Sequence, residues 1–274
     1  MSGICLTIDE KRNPNLHQLW KNYSEKDFGL LTEVKKGDAF LDSQLYEAFK
    51  NSKERGFDLL NFQKDDGLLR LNELALWRDK MWPIGKRITV KFLDRNPFLE
   101  YKIIAFANEW STYANVYFDF IETGNAEIRI SLHPDGSSWS ILGMAALNRP
   151  QNQATINFGW FNNTTPDAEI RRTTLHEFGH AIGCIHEHQT TASPIKWNVD
   201  VVYRVYGVLG WDKDMVDNNV LKVFTQSEIT NSAFDRDSIM IYPIPSILTD
   251  GISIDMNMEL SPVDKQFIAS CYPK

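Results

Sequence analysis

Apolar residues beyond position 83 alternate with polar ones in several short segments, which is the pattern of β-strands. Residues 88–93 alternate and are rich in β-branched side chains, so they are predicted to form a strand. Residues 116–120, 126–132 and 154–158 show the same features. Residues 136–147 are rich in serine and glycine and are predicted to form a turn that runs into a further strand.

Helical spacing marks two longer segments among these strands. Residues 97–113 place apolar side chains three and four positions apart. Pro166 occupies a favoured first-turn position, and Asp167 and Glu169 complement the dipole of a helix that we expect to run to Gly183. The order of one strand, one helix, several strands and a long helix predicts an α/β (α+β) domain.

The chain changes character near residue 80. Residues 1–75 are rich in charged side chains, and helical pieces are predicted at 42–52 and 67–80. We therefore expect an N-terminal extension, residues 1–75, followed by a separate domain of residues 76–274.

Composition and charge narrow the class of protein. Of the 274 residues, 43% are hydrophobic and 24% are charged, as in ordinary soluble globular proteins. The net charge of −7 argues against a general nucleic-acid binder, which needs a basic surface. No run approaches the roughly 18 apolar residues needed to cross a bilayer, so no membrane span is expected.

The N-terminus as written lacks the basic region and the long apolar run of a secretory signal. A cytosolic protein, export by a route without such a signal and a trimmed leader all stay open, with export or action as an effector favoured over a cytoplasmic role. Three cysteines are too few for a disulfide framework. Free buried thiols are expected, and the one bridge considered is Cys184–Cys271.

A histidine-rich segment carries the candidate chemistry. His176 and His180 are four positions apart on the predicted helix, so their rings lie on one face and can hold one zinc ion. Glu177 lies beside His176, where it can reach a zinc-bound water without binding the metal, as a general base does. Gly183 can adopt a positive φ and end the helix, after which the chain turns back and delivers His186.

Three protein ligands leave the fourth zinc position for water, which is typical of a catalytic site. Four of the six histidines lie within residues 176–188, which a helix with ordinary surface histidines does not explain. His188 is expected on the surface or beside the ligands, because His186 already supplies the third one.

A second motif, Ser238-Ile239-Met240-Ile241-Tyr242, follows later in the chain. A long zinc motif together with a later methionine turn resembles the metzincin clan. Glu187 directly after the third histidine, and Tyr242 in the turn, resemble the astacin family. Cys5-Leu6 is similar to the start of a bacterial branch of astacin-like peptidases.

The resemblance implies a metzincin fold: a twisted, mostly parallel sheet with an antiparallel edge strand, an active-site helix, a methionine turn and a C-terminal helix. Met240 would form a hydrophobic base under the zinc. Tyr242 would be a switchable fifth ligand that stabilises the oxyanion. Glu187 would anchor a buried chain terminus or a water network.

The same resemblance makes residues 1–75 a pro-segment or inhibitory extension. The thiolate of Cys5 could fill the open zinc position and hold the enzyme latent. Asp38, in a Gly-Asp pair similar to that of astacin pro-segments, is a rival candidate for blocking the zinc. The third reading is that neither residue blocks the zinc and that this Gly-Asp pair only forms a turn.

The function indicated is a zinc-dependent endopeptidase, expected to be a monomer with one catalytic zinc. A protein or peptide substrate would bind in extended form along an edge strand within residues 137–143; an exposed hairpin without a ligand is the alternative there. A catalytically idle zinc-containing module that binds peptides is the second functional hypothesis.

Overall fold

The structure is a computed structural model of the 274-residue chain. It describes residues 4–5, 76–134, 137–208, 211–225, 229–230 and 233–274, and it describes the backbone only of Ile4, Cys5, Trp77, Ser137 and Val208. Asp38 and the helix predicted at 42–52 lie outside the described residues. The function predicted for residues 1–75 therefore stays a prediction.

Eight strands are described: β1 (Ile4–Cys5), β2 (Leu76–Trp77), β3 (Arg87–Phe92), β4 (Tyr117–Phe120), β5 (Ile128–Ser131), β6 (Ser137–Ser140), β7 (Ile156–Phe158) and β8 (Ile229–Thr230). β2 and β8 form a separate antiparallel pair. The other six form one sheet in the order β1-β6-β7-β5-β3-β4, in which only β6 and β7 pair antiparallel.

The predicted sheet, mostly parallel with one antiparallel strand at its end, is confirmed. β6 ends the row of five longer strands, and the two-residue β1 pairs with the outer edge of β6. Parallel strands are covered on both faces, so they carry near-continuous apolar residues. Val90, Ile130 and Ile156 are accordingly fully buried.

Two helices pack against each other beside this sheet. Helix α1 (Pro97–Tyr113) begins where the side chain of Asn96 accepts a hydrogen bond from the backbone N–H of Leu99. The indole of Trp110 on α1 donates to the carbonyl of Leu175 on helix α2 (Asp167–Ala181) at 2.9 Å. Phe178 on α2 meets the ring of Phe118 on β4 edge to face, with the ring centroids 4.8 Å apart. Helix α2 is thereby fixed between α1 and the sheet.

The chain after α2 is less regular. It contains helix α3 (Val199–Val208), helix α4 (Lys213–Val216) followed by a π-helical turn (Asp217–Leu221), and the C-terminal helix α5 (Pro262–Cys271). A second apolar cluster, centred on Val202, Val205, Ile241 and Ile244, lies in this part. Isolated bridges such as that between Ile244 and Ile254 connect its loops.

Two predicted elements differ in the structure. Residues 76–80, predicted as the end of a helix, form β2 and a 3₁₀ turn (Arg78–Lys80), because Leu76 pairs with Thr230 and with Cys184 and this pairing overrides the local helical spacing. In the segment predicted as a turn and then a strand, the strand comes first as β6, and Gly143–Asn148 is a 3₁₀ helix.

Helix α2 ends at Ala181, two residues before the predicted end. Cys184 is buried, Cys271 is half-buried, and both are free thiols. Within the described ranges, none of the helices combines the length and the apolar character needed to cross a bilayer.

Candidate metal centre

Helix α2 carries two of the three predicted ligands. His176 and His180 are one turn apart and are both buried. The Nδ1 atom of His176 lies 2.9 Å from the carbonyl oxygen of Ile239, and the Nδ1 of His180 lies 2.7 Å from that of Cys184. A carbonyl oxygen only accepts, so each Nδ1 carries the proton and each Nε2 presents its lone pair.

The turn after α2 delivers the third histidine. Gly183 has a φ of 97°, a conformation that glycine adopts at little cost. The N–H groups of Gly183 and Cys184 donate to the carbonyls of His180 and Gly179, both at 2.8 Å, which is the Schellman pattern of a helix end. The chain then reverses and brings His186 back against the face that His176 and His180 occupy.

The three imidazoles fit a single metal ion. One ring nitrogen of each lies within 4.8 Å of the others. The Nε2 atoms of His176 and His180 are 3.1 Å apart, yet both are acceptors and cannot bond to one another. Two nitrogens bound to one tetrahedral zinc at about 2.0–2.1 Å stand about 3.3 Å apart. The Nε2 of His186 is buried without a hydrogen-bond partner among the described residues, as a free ligand atom would be.

Burial keeps these rings neutral. Loss of solvent, and the neighbouring histidines, lower the pKa of His176 and of His186 well below the usual range. Burial lowers the pKa of His180 to about 4, although the Cys184 carbonyl opposes the shift. Metal ions bind the neutral imidazole, so the electrostatics of the site agree with its geometry.

Two further polar side chains lie next to the three rings. Glu177 is fully buried on α2, directly after His176. Tyr242 is half-buried, and its ring centroid lies 4.1 Å from that of His186 and 5.5 Å from that of His176. A carboxylate and a phenol therefore border the group that could hold the metal.

The methionine turn passes directly beneath α2. A Cβ atom built on Gly179 would stand 2.2 Å from the sulfur of Met240, so glycine permits this close approach. Met240 is completely buried, and its carbonyl accepts from the N–H of Glu187 at 3.4 Å. The turn and the helix are thus in contact between the two histidines of α2.

Asp264, which the sequence reasoning missed, holds this turn in place. Its carboxylate accepts from the hydroxyl of Ser238 at 2.6 Å and from the N–H of Ile239 at 2.9 Å. It also accepts from the N–H of Ser261, which caps helix α5. The sequence signal was available, because Ser261 and Asp264 have the spacing of a capping box.

Glu187 is buried behind the centre. One of its carboxylate oxygens accepts from the N–H of Asp235 at 2.8 Å. Burial raises the pKa of Glu187 to about 8, while the Asp235 N–H opposes the rise. Glu187 also lines a small cavity together with Cys184, Met240 and Asp264.

His188 is buried, so it is not on the surface. Its ring is stacked on that of His186, with the centroids 5.4 Å apart, and meets the indole of Trp197 edge to face. The other alternative predicted for this residue, a place beside the ligands, agrees with these contacts.

Solved structures resemble the chain over most of its length. A structure of myroilysin is 44% identical and superposes with a TM-score of 0.71, covering 73% of this chain and 98% of that one. A second, a crystal structure of myroilysin, is 42% identical with a TM-score of 0.57, covering 74% of this chain and 90% of the other.

A more distant match is high choriolytic enzyme 1, a hatching-enzyme zinc protease from the medaka fish Oryzias latipes. It is 16% identical, with a TM-score of 0.50, and covers 73% of this chain and 98% of that one. At this identity the two proteins share the fold. No protein-family model matches the sequence, and no curated protein sequence matches it.

Proposed function

Because this chain belongs to the astacin family of metzincin zinc proteases and is a zinc metalloendopeptidase, we propose that His176, His180 and His186 hold its catalytic zinc and that Glu177 is its general base. The observation that carries the assignment is the convergence of three neutral imidazole nitrogens within 4.8 Å. One zinc ion per chain is the cofactor. Zinc bound there would lower the pKa of a coordinated water toward 7 and polarise a scissile carbonyl.

Glu177 would move the proton in the reaction. A buried carboxylate next to His176 can accept the proton of the attacking water and then donate it to the leaving amine. Helix α2 fixes the carboxylate beside the ligands, so the reaction requires little rearrangement of the protein.

Tyr242 would stabilise the oxyanion. Its ring packs against His186 and His176, which keeps the phenol at the border of the centre. A hydroxyl donor at this place can share the negative charge that develops on the carbonyl oxygen. Met240 and Glu187 would support the site, the first as the packed floor under α2 and the second through Asp235.

An extended peptide would bind along β6. This strand pairs with β7 along one edge, and the backbone groups of its outer edge can pair with an added strand. In the full chain the backbone of Ile4–Cys5 pairs with that outer edge, at Ser137 and Ser138. The N-terminal segment therefore uses the hydrogen-bonding edge that a substrate would need.

This pairing supports latency of the full chain, with residues 1–75 as the pro-segment. Cys5 is the favoured group for blocking the zinc, and Asp38 is the rival. Cys5→Ala should raise basal activity of the full chain, whereas Asp38→Ala should leave it low. Unchanged latency in the first variant would exclude Cys5.

Casein cleavage tests the function directly. The active enzyme should cleave casein, lose this activity with a zinc chelator and regain it with added zinc. A catalytically idle peptide-binding module, the second hypothesis, would bind a peptide with one zinc per chain and cleave nothing. The presence of both Glu177 and Tyr242 beside the three histidines favours the peptidase.

A further inference from the structure

A short segment outside the zinc motif contacts the turn that orients one of its ligands. We call residues 76–82 the strap. It comprises β2 and the 3₁₀ turn Arg78–Lys80 and continues to Trp82. The strap contacts the turn 181–184, which leads from α2 to His186.

Three carbonyl groups of this turn accept hydrogen bonds from aromatic side chains. That of Cys184 accepts from the Nδ1 of His180 at 2.7 Å and so sets the orientation of that ring. That of Ala181 accepts from the indole of Trp82 at 2.8 Å. That of Ile182 accepts from the hydroxyl of Tyr272 at 2.7 Å, and the backbone N–H of Trp82 donates to the same hydroxyl at 3.1 Å.

Leu76 adds a backbone and a packing contact. Its backbone forms an antiparallel bridge with Cys184, the residue whose carbonyl holds His180. Its side chain is completely buried, and its Cδ2 would be 2.9 Å from a Cβ built on Gly183. The strap therefore fills the space above the glycine that ends the helix.

The other edge of the strap is fixed to distant parts of the chain. β2 pairs with β8, and the guanidinium of Arg78 donates to the hydroxyl of Thr230 at 3.1 Å and to the carbonyl of Ile229 at 3.3 Å. The carbonyl of Lys80 packs so closely on Gly143 that a Cβ there would stand 2.0 Å away. A segment held at this many points can impose its geometry on the turn.

We propose that the strap is a positioning element of the metal centre, in which Leu76 and Trp82 fix the turn 181–184 so that the Cys184 carbonyl orients His180 toward zinc. This rests on the assignment of His180 as a ligand. Loss of a group that orients a metal ligand typically changes metal affinity or activity by about 10–100-fold. Residues 76–82 then belong to the functional unit and not to the removable extension.

The test compares two tryptophans in the zinc-loaded full chain. Trp82→Phe removes the N–H that binds Ala181, and Trp110→Phe, the matched control, removes the N–H that binds Leu175 in the middle of α2. The rate of zinc transfer to an excess of a chromophoric chelator is measured, together with the Tm of each metal-free variant. We expect Trp82→Phe to release zinc about 10-fold faster than the parent or more, and Trp110→Phe to release it at a rate within about twofold of the parent. The two metal-free variants should lose similar amounts of Tm.

Leu76→Ala should behave like Trp82→Phe and provides a second variant if one folds poorly. Equal rates of zinc release for both tryptophan variants would overturn the positioning function and leave the strap a stabilising contact only. His180→Ala tests separately whether His180 is a zinc ligand, on which the proposal rests. If that variant retained zinc as the parent does, the ligand assignment itself would fail.

Discussion

The two halves of the metal centre are built in different ways. His176, Glu177 and His180 lie on one regular helix that is packed between α1 and the sheet. His186 and Tyr242 lie on irregular chain, in the part where short helices and single bridges replace long elements. The first half takes its geometry from the pitch of a helix, and the second half takes it from hydrogen bonds between residues far apart in sequence.

This difference decides where each half is vulnerable. The spacing of the helical residues survives as long as α2 survives. The methionine turn depends on single contacts, such as those from Asp264 to Ser238 and Ile239. Substitutions in each half should therefore distinguish the residues that take part in the reaction from the residues that hold the site in place.

The largest effect is expected on the helical half, from Glu177→Gln. The amide keeps the shape of the side chain but cannot accept the proton of water. Casein cleavage by the active enzyme should fall by about 10²–10⁴-fold, the usual contribution of general acid–base catalysis. Zinc content, measured by metal analysis, should stay at one ion per chain. A variant that kept full turnover would remove Glu177 from the mechanism.

On the irregular half, Tyr242→Phe should have a smaller effect. Loss of one oxyanion donor typically lowers kcat by about 10²–10³-fold, and the half-buried position of this ring favours the lower end. KM for a peptide substrate should change little, because the donor acts in the transition state. Equal losses in kcat and in substrate affinity would instead make Tyr242 a substrate-binding residue.

The support of the irregular half is tested by Asp264→Asn. The amide cannot accept all three hydrogen bonds that the buried carboxylate receives from Ser238, Ile239 and Ser261. Unfolding in urea should show a loss of about 1–3 kcal/mol. The control is Asp119→Asn on the sheet, whose partner Arg87 is exposed, and this should cost less than about 1 kcal/mol. A larger loss of stability for Asp119→Asn would mean that Asp264 is not a main support of the methionine turn.

The same division explains what the sequence could predict. Helix α1 and strands β3, β5 and β7 follow from their apolar periods, and the histidine spacing on α2 reports directly on geometry. The strap could not be predicted, since the helical spacing of residues 67–80 competes with backbone pairing to Cys184 and to β8, which periodicity does not encode. Asp264 was missed for a related reason: its capping-box spacing identifies a helix start and says nothing of the turn that it also holds.

The smallest effect compares the two apolar cores themselves. Ile103→Val on α1 and Ile244→Val after the methionine turn delete the same methylene, from side chains that are 0% and 3% exposed. Such deletions typically cost about 0.5–1.5 kcal/mol, and the cost depends on how far the surroundings can relax into the space left behind. Around Ile103 a long helix and the sheet resist relaxation, so we expect a value near the upper limit in urea unfolding. Around Ile244 the neighbours lie on loops joined by single bridges, so the value should be near the lower limit. Equal costs would mean that the irregular half packs as rigidly as the regular one and that its support is not confined to a few hydrogen bonds.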